Sequence, residues 1–190
     1  MKDSMVSFIV VNCNGGTLLS ECLDSIAAQT YPDLEIIVVD NGSTDRSWDV
    51  PRLRQKRCSL MRLETNRGFS EGNNIGVAAS QGEFVALINN DVTIAADWTE
   101  KMLGPFNRGQ ATGSVACRIL QKQAPDRLDS AGMDFVACGT VSAGTGLSAD
   151  DPSLRQRRPL GAVASAALYR RTALDAVGLF HPEYFDYYED

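Results

Sequence analysis

Leu34-Glu35-Ile36-Ile37-Val38-Val39 runs straight into Asp40-Asn41-Gly42-Ser43-Thr44-Asp45, and this junction decides the fold. A β-branched apolar run that stops at turn-forming residues reads as a strand buried on both faces, as in a parallel sheet. The junction recurs on either side. Met5 to Val11 ends in Asn12-Cys13-Asn14-Gly15-Gly16, and Glu83 to Ile88 ends in Asn89-Asn90-Asp91. Between the first two runs, Leu18, Leu19, Cys22, Leu23, Ile26 and Ala27 follow helical spacing up to Thr30-Tyr31-Pro32. Further elements are predicted as a short helix over 45–55, a strand over 59–64, a helix over 71–80 and a helix from Ala95 to Leu103. Strands alternating with helices imply parallel βαβ units with right-handed crossovers. The three polar clusters then share one edge of the sheet, beyond the carboxyl ends of the strands, where open α/β sheets bind ligands.

Beyond Gly113 the rhythm changes. Ser114 to Leu120 suggests a strand, and 121–160 is rich in Gly, Asp, Pro and Arg, which suggests an irregular lid over the ligand edge. Gly161 to Tyr169 is small and apolar, and a helix is predicted from Arg171 to Val177, stopped by Gly178. The expected organisation is one domain in two halves, with 1–112 binding the ligand and 113–190 forming an extension cut short after its last acidic residues.

The chain has 190 residues, 18 basic and 24 acidic, for a net charge of −6, with 44% hydrophobic and 22% charged residues. That length and composition describe a globular domain that needs no disulfide or metal to fold. The acidic balance argues against nucleic acid, whose phosphates attract basic excess. Five cysteines (Cys13, Cys22, Cys58, Cys117, Cys138) show no repeated spacing and are expected to be small buried residues in a reducing compartment. Lys2 precedes an apolar run, but Asp3, Asn12 and Asn14 spoil a signal peptide, and no run approaches the ~20 apolar residues of a spanning helix. A cytoplasmic protein is expected. Asn41-Gly42-Ser43 matches a glycosylation sequon and is read as a turn. Arg155-Gln156-Arg157-Arg158 is read as a solvated loop.

Two motif matches fail in context. Gly68-Phe69-Ser70-Glu71-Gly72 fits the serine-hydrolase elbow, with His181, the one histidine, after it in chain order. An elbow, however, needs its strand to run almost into the first glycine, and Asn66-Arg67 intervenes. Gly144 to Ala149 loosely fits a dinucleotide fingerprint, but no buried strand precedes it and Pro152 follows. The loop from Asn12 to Gly16 has no basic residue, against the Gly-rich basic loop of a sugar-nucleotide pyrophosphorylase.

The clusters themselves suggest chemistry. Asp40 at a strand end can accept from a nucleobase imide or a ribose hydroxyl, or can cap the turn that follows. Asp91 is placed to hold a divalent cation against phosphate, because hard cations take oxygen ligands. Asn66 to Asn74 joins three side-chain amides and two glycines, offering backbone N–H groups and close approach to an anion, with Arg67 to neutralise charge.

Taken in order, these pieces resemble the family 2 inverting glycosyltransferases of the GT-A fold, particularly the bacterial rhamnosyltransferase-like branch that builds surface polysaccharides. The matching stretches are Val10 to Gly15, Val38 to Asp45, Asn66 to Phe69 through Asn74-Ile75-Gly76, and Leu87 to Val92 with Trp98. Arg170-Arg171 through Gly178-Leu179-Phe180 and Phe185 to Asp190 complete the set. The resemblance implies a mostly parallel, Rossmann-like sheet with helices on both faces and an irregular acceptor-side extension. It implies that Asp40, with Asn12 and Asn14, holds the base of a dTDP- or UDP-linked sugar, and that the loop from Arg67 and Gly68 to Asn74 closes around base and ribose. Asn90 would contact ribose where many members carry a carboxylate, and Asp91 would bind Mg²⁺ or Mn²⁺. Glu189-Asp190 matches the late acidic pair, with Asp190 the base, and the family normally continues for tens of residues past it. The implied acceptor is a saccharide or a lipid-linked glycan, with peripheral association at the inner face of the membrane. The chemistry agrees: an attacking hydroxyl needs one carboxylate base, and inversion needs one displacement. A nucleotide-binding module without turnover is the other reading. Burial of Phe185, Tyr187 and Tyr188 is expected to order the acidic ending.

Overall fold

Val6–Asn12 (β1) and Leu34–Asn41 (β2) are extended because their branched side chains pack on both faces of a pleated sheet and leave no face for water. A computed structural model describes residues 4–108, 111–136, 139–156, 158–181 and 183–185. After β1 comes helix α1 (Leu18–Ala27), and after β2 come a single 3₁₀ turn (Pro51–Arg54) and β3 (Cys58–Leu63). Helix α2 (Gly68–Ala79), β4 (Phe84–Ile88) and helix α3 (Trp98–Leu103) complete the first half. The second half contains β5 (Ser114–Ala116), β6 (Ile119–Gln121), β7 (Ala124–Ser130), β8 (Met133–Val136), β9 (Gly139–Ser142), β10 (Ala166–Arg170) and helix α4 (Arg171–Val177).

Among the described residues the main sheet has six strands in the order β3-β2-β1-β4-β10-β5. β1 pairs in parallel with β2 and β4, and β2 with β3, whereas β10 runs antiparallel to both β4 and β5. The alternation of side chains along each strand feeds two cores. Val6, Phe8, Val10, Ile36, Val38 and Ala86 meet α1 and α3 through Leu19, Leu23, Ile26, Trp98 and Met102. Ile9, Ile37, Val39, Val85 and Leu87 face the other way, toward Val77 of α2 and Leu174 of α4. Each fully buried aliphatic contributes roughly 1.5–3 kcal/mol relative to exposure, so the central strands anchor whatever their ends carry. Helix α2 lies unusually close to β1: a Cβ at Gly72 would meet Val11 Cγ1 at 2.8 Å, and one at Gly76 would overlap Ile9 Cγ2.

Several predicted elements take a different form. The helix expected over 45–55 is only the 3₁₀ turn, because Arg46 adopts a left-handed φ of 58° and Asp45 bonds the Ser47 N–H, which turns the chain. The single strand expected over 114–120 splits: β5 joins the main sheet and β6 leaves it to pair with β7. The irregular stretch 121–160 contains β7 and the β8–β9 hairpin. Helix α2 starts at Gly68, three residues before the predicted 71. No helix among the described residues is long and apolar enough to cross a membrane.

Candidate functional site

Parallel register brings Asn12 beside Asp40, and Asp40 beside Arg62, at the carboxyl ends of β1, β2 and β3. All three sit at even-numbered positions and so share the face that holds α1. Asn12 and Asp40 have no exposed surface. A buried carboxylate can only accept, so Asn12 must turn its NH₂ toward it, and Nδ2 lies 3.1 Å from Asp40 Oδ1. The same two hydrogens are shared with Ser43 Oγ at 3.1 Å and Ser47 Oγ at 2.8 Å. The Asn12 carbonyl then faces β4 and accepts from Asn90 Nδ2 at 3.0 Å. That relay leaves the Asn90 carbonyl oxygen as the acceptor that Asn12 does not use. A Cβ at Gly15 would fall onto this Asn12–Asn90 hydrogen bond, which explains a glycine there.

Asn14 joins the first two loops. It adopts φ of 52°, its N–H donates to Ser43 Oγ at 2.9 Å, and its Oδ1 accepts from Thr44 N at 2.9 Å and Asp45 N at 3.3 Å. Asp45, and not Asp40, makes the local turn contacts: its carboxylate accepts from Ser47 N and Gly16 N, and the Ser47 hydrogen bonds hold its pKa below the usual range. Asp40 instead pairs across strands with Arg62 Nε at 3.3 Å. Arg62 and its neighbour Trp48, whose ring lies 3.9 Å beneath the guanidinium, were invisible to motif reading. The available signal was a cation at the end of an apolar strand, in step with Asp40.

The loop before α2 is occupied by its own chain. Arg67 N donates to Asn41 Oδ1 at 2.8 Å, Gly68 N to Asn66 Oδ1 at 2.8 Å, and Phe69 N to Phe185 O at 2.7 Å. These backbone donors, expected to meet an anion, already have acceptors. The Arg67 side chain pairs with Glu71 at 2.9 Å on the surface, a contact of little energetic weight. Asn74 clamps the backbone of Phe180 from both sides, donating to its carbonyl at 2.8 Å and accepting its N–H at 3.1 Å. Asn74 thereby ties α2 to the segment after α4, while Phe185 docks at the α2 amino end. The expected burial of Phe185 is not met, since the residue is 56% exposed although its carbonyl is engaged. Tyr187, Tyr188, Glu189 and Asp190 lie outside the described residues. Asn41 points inward, 2% exposed, so the sequon residue ends a strand and does not form an accessible turn.

Asp91 is exposed just past β4, and no ion pair among the described residues engages it. Its charge, after burial as the main cause, helps push the Cys22 thiol up to about 12. No group of three His, Cys, Asp or Glu side chains forms a metal cluster among the described residues. A single carboxylate is nonetheless the donor set that suits a cation shared with phosphates, because Mg²⁺ is usually held by one or two carboxylates plus substrate oxygens. Cys13 is exposed, against the expectation of buried thiols; Cys22 is buried, Cys58 and Cys117 are intermediate, all four are free, and Cys138 lies outside the described residues.

Ser70 is fully buried within α2, and its hydroxyl has no hydrogen-bond partner among the described residues. A nucleophile must be presented to substrate, so the hydrolase reading falls. Removing an unsatisfied buried hydroxyl costs little, and Ser70→Ala is expected to change stability by less than about 1 kcal/mol or to raise it. Thermal melts check this, alongside fluorophosphonate labelling, which should find no reactive serine. Labelling at Ser70 would restore the rejected reading.

The sequence model of the family described as glycosyl transferase family 2 matches residues 7–178. The putative glycosyltransferase EpsH of Bacillus subtilis (strain 168) is 34% identical over 119 residues, which cover 62% of this chain and 34% of EpsH. A fragment of S. aureus TarS solved with UDP superposes with a TM-score of 0.68 at 22% identity, covering 95% of this chain and 51% of that one. The mannosyltransferase PcManGT from Pyrobaculum calidifontis, solved with GDP-Man and Mn²⁺, gives 0.61 at 23% identity over 94% of this chain and 48% of its own. These similarities show the GT-A fold. The chain spans about a third of the length of EpsH and about half of the two solved chains.

Proposed function

The chain belongs to glycosyl transferase family 2, and we propose that it moves a sugar with inversion from a dTDP- or UDP-linked donor to a saccharide or lipid-linked acceptor. The observation that carries this reading is the hydrogen-bonded row Asp40–Asn12–Asn90 across three strand ends, with Asp91 exposed beyond it. Asp40, Asn12 and Asn14 form the base end of the row. The side-chain carbonyl of Asn90, which accepts no hydrogen bond among the described residues, suits a ribose hydroxyl, which can donate to it. The loop from Arg67 and Gly68 to Asn74 borders base and ribose. In this reading 1–112 binds the donor and 113–190 forms the acceptor side, working in the cytoplasm at the inner face of the membrane in polysaccharide assembly.

Asp91 is the residue that would hold Mg²⁺ or Mn²⁺ against the diphosphate, and the bound cation would neutralise charge on the leaving group. PcManGT was solved with Mn²⁺ and a nucleotide sugar, which supports this assignment. Asp190, with Glu189 beside it, is the proposed base that takes the acceptor proton.

Calorimetric titration of UDP and dTDP, with and without Mn²⁺, tests the reading. Micromolar to millimolar binding that Mn²⁺ strengthens is expected, and no heat under either condition would sink it. Asp190→Asn separates enzyme from binding module: binding should persist while transfer is lost, whereas a module without turnover would show the same binding and no transfer in either form.

A further inference from the structure

The carboxylate assigned to the base is closed off. Asp40 has no exposed surface, its Oδ1 accepts from Asn12 and its Oδ2 from Arg62. What stands outside it at the same edge is Arg62, one strand over and in register, with a side chain 48% exposed. Its guanidinium lies on the Trp48 ring at 3.9 Å. Among the described residues only Nε is engaged, so the two terminal nitrogens retain their hydrogens for a ligand. An exposed arginine ordinarily samples many rotamers; a carboxylate behind and an indole beneath remove that freedom and fix the fork at the mouth of the site.

We propose that Arg62 reads the nucleobase of the donor, and that Asp40 and Trp48 are positioning residues that aim it. This deepens the donor-binding reading and rests on it. A guanidinium carries donors only. It therefore favours a base edge that presents carbonyl oxygens, as uracil and thymine do, and meets the exocyclic amine of cytosine donor against donor. Losing a well-made pair of this kind changes base preference by roughly tenfold or more. The inert alternative is that Arg62 only neutralises Asp40.

UDP and CDP, identical outside one base edge, are the probes, measured by calorimetry with Mn²⁺ on the full chain. The unaltered protein is expected to prefer UDP by about tenfold or more. Arg62→Ala should bring the ratio near one, and Arg62→Lys, which keeps the charge beside Asp40 and its donors but loses the flat fork, should leave the ratio clearly below that of the unaltered protein. Trp48→Ala should lower the ratio and Trp48→Phe should restore much of it, because a ring face is what the guanidinium needs. Asp40→Asn should lower it too. Inorganic diphosphate with Mn²⁺ should bind all variants alike, since it has no base. If UDP binds and the ratio is near one in the unaltered protein, or unchanged in both Arg62 variants, Arg62 does not read the base and the inference is overturned alone. If the unaltered protein binds neither nucleotide, the donor reading fails and takes this inference with it.

Discussion

Asp91→Asn is expected to cut sugar transfer by roughly a hundred- to a thousand-fold, equivalent to about 3–4 kcal/mol of charge stabilisation lost from the leaving diphosphate. The substitution keeps shape and removes only charge. Asp91 is exposed, ends no strand and joins no ion pair among the described residues, so folding stability should move by no more than about 0.5 kcal/mol. The effect should therefore separate cleanly: unchanged thermal midpoint, near-silent turnover, and UDP binding that Mn²⁺ no longer strengthens. A second variant sharpens the assignment. Asn90→Asp would place another carboxylate beside Asp91 and should strengthen Mn²⁺ dependence, while losing the amide that donates to Asn12. Transfer by Asp91→Asn at half the normal rate or better would mean that the diphosphate charge is met elsewhere.

The contrast between Asp91 and Asp40 organises the site. Asp40 lies next to last in its strand and Asp91 three residues past the end of β4, and a sequence treats the two carboxylates alike. Asp40 is sealed by Asn12, Arg62 and the indole below Arg62, and so shapes the site from behind. Asp91 faces water, and in the proposed reading it is the carboxylate that meets the cation. In that reading exposure, not residue type, separates the two roles.

This is also where reading from residues reaches its limit. The strands β1, β2 and β4 and the shared edge of their polar ends were legible, because two-sided burial writes an uninterrupted apolar run and a polar stop. Helix α4 was legible through its Gly178 stop. The antiparallel direction of β10 was not, since Gly161 to Tyr169 is apolar whichever way the strand runs. Nor was the split between β5 and β6, where the chain changes sheets without any change of pattern. The clamp of Asn74 on Phe180 was not legible either, because the two are 106 residues apart and no local spacing announces such a pair. Arg62 carries little signal in the sequence, because one cation in a strand usually means a solvated position. Only the register β1–β2–β3 places it on the carboxylate.

Asn12→Ala should be the most damaging single change to the architecture of the site. The side chain is fully buried and joins Asp40, Ser43, Ser47 and Asn90, which come from β2, the loop after it and the loop after β4. Alanine removes the donor to a buried carboxylate, worth about 1.5–3 kcal/mol, and strands the Asn90 amide, worth about 1 more. The serine hydroxyls can rotate toward other acceptors and should soften the loss. A net destabilisation of about 3 kcal/mol follows, which for a chain of this size lowers the thermal midpoint by roughly 6–12 °C. Asn90→Ala deletes one of these contacts at a half-buried position and should cost about 1 kcal/mol or less. Asn12→Asp is the decisive companion: it preserves volume but sets a second carboxylate against Asp40, and like charges this close cannot both stay ionised. That variant should be less stable than Asn12→Ala at pH 7 and should recover as pH falls far enough to protonate one of the pair. If instead Asn12→Ala melts with the unaltered protein, the relay from Asp40 to Asn90 holds nothing together, and the strand ends are set by the apolar cores alone.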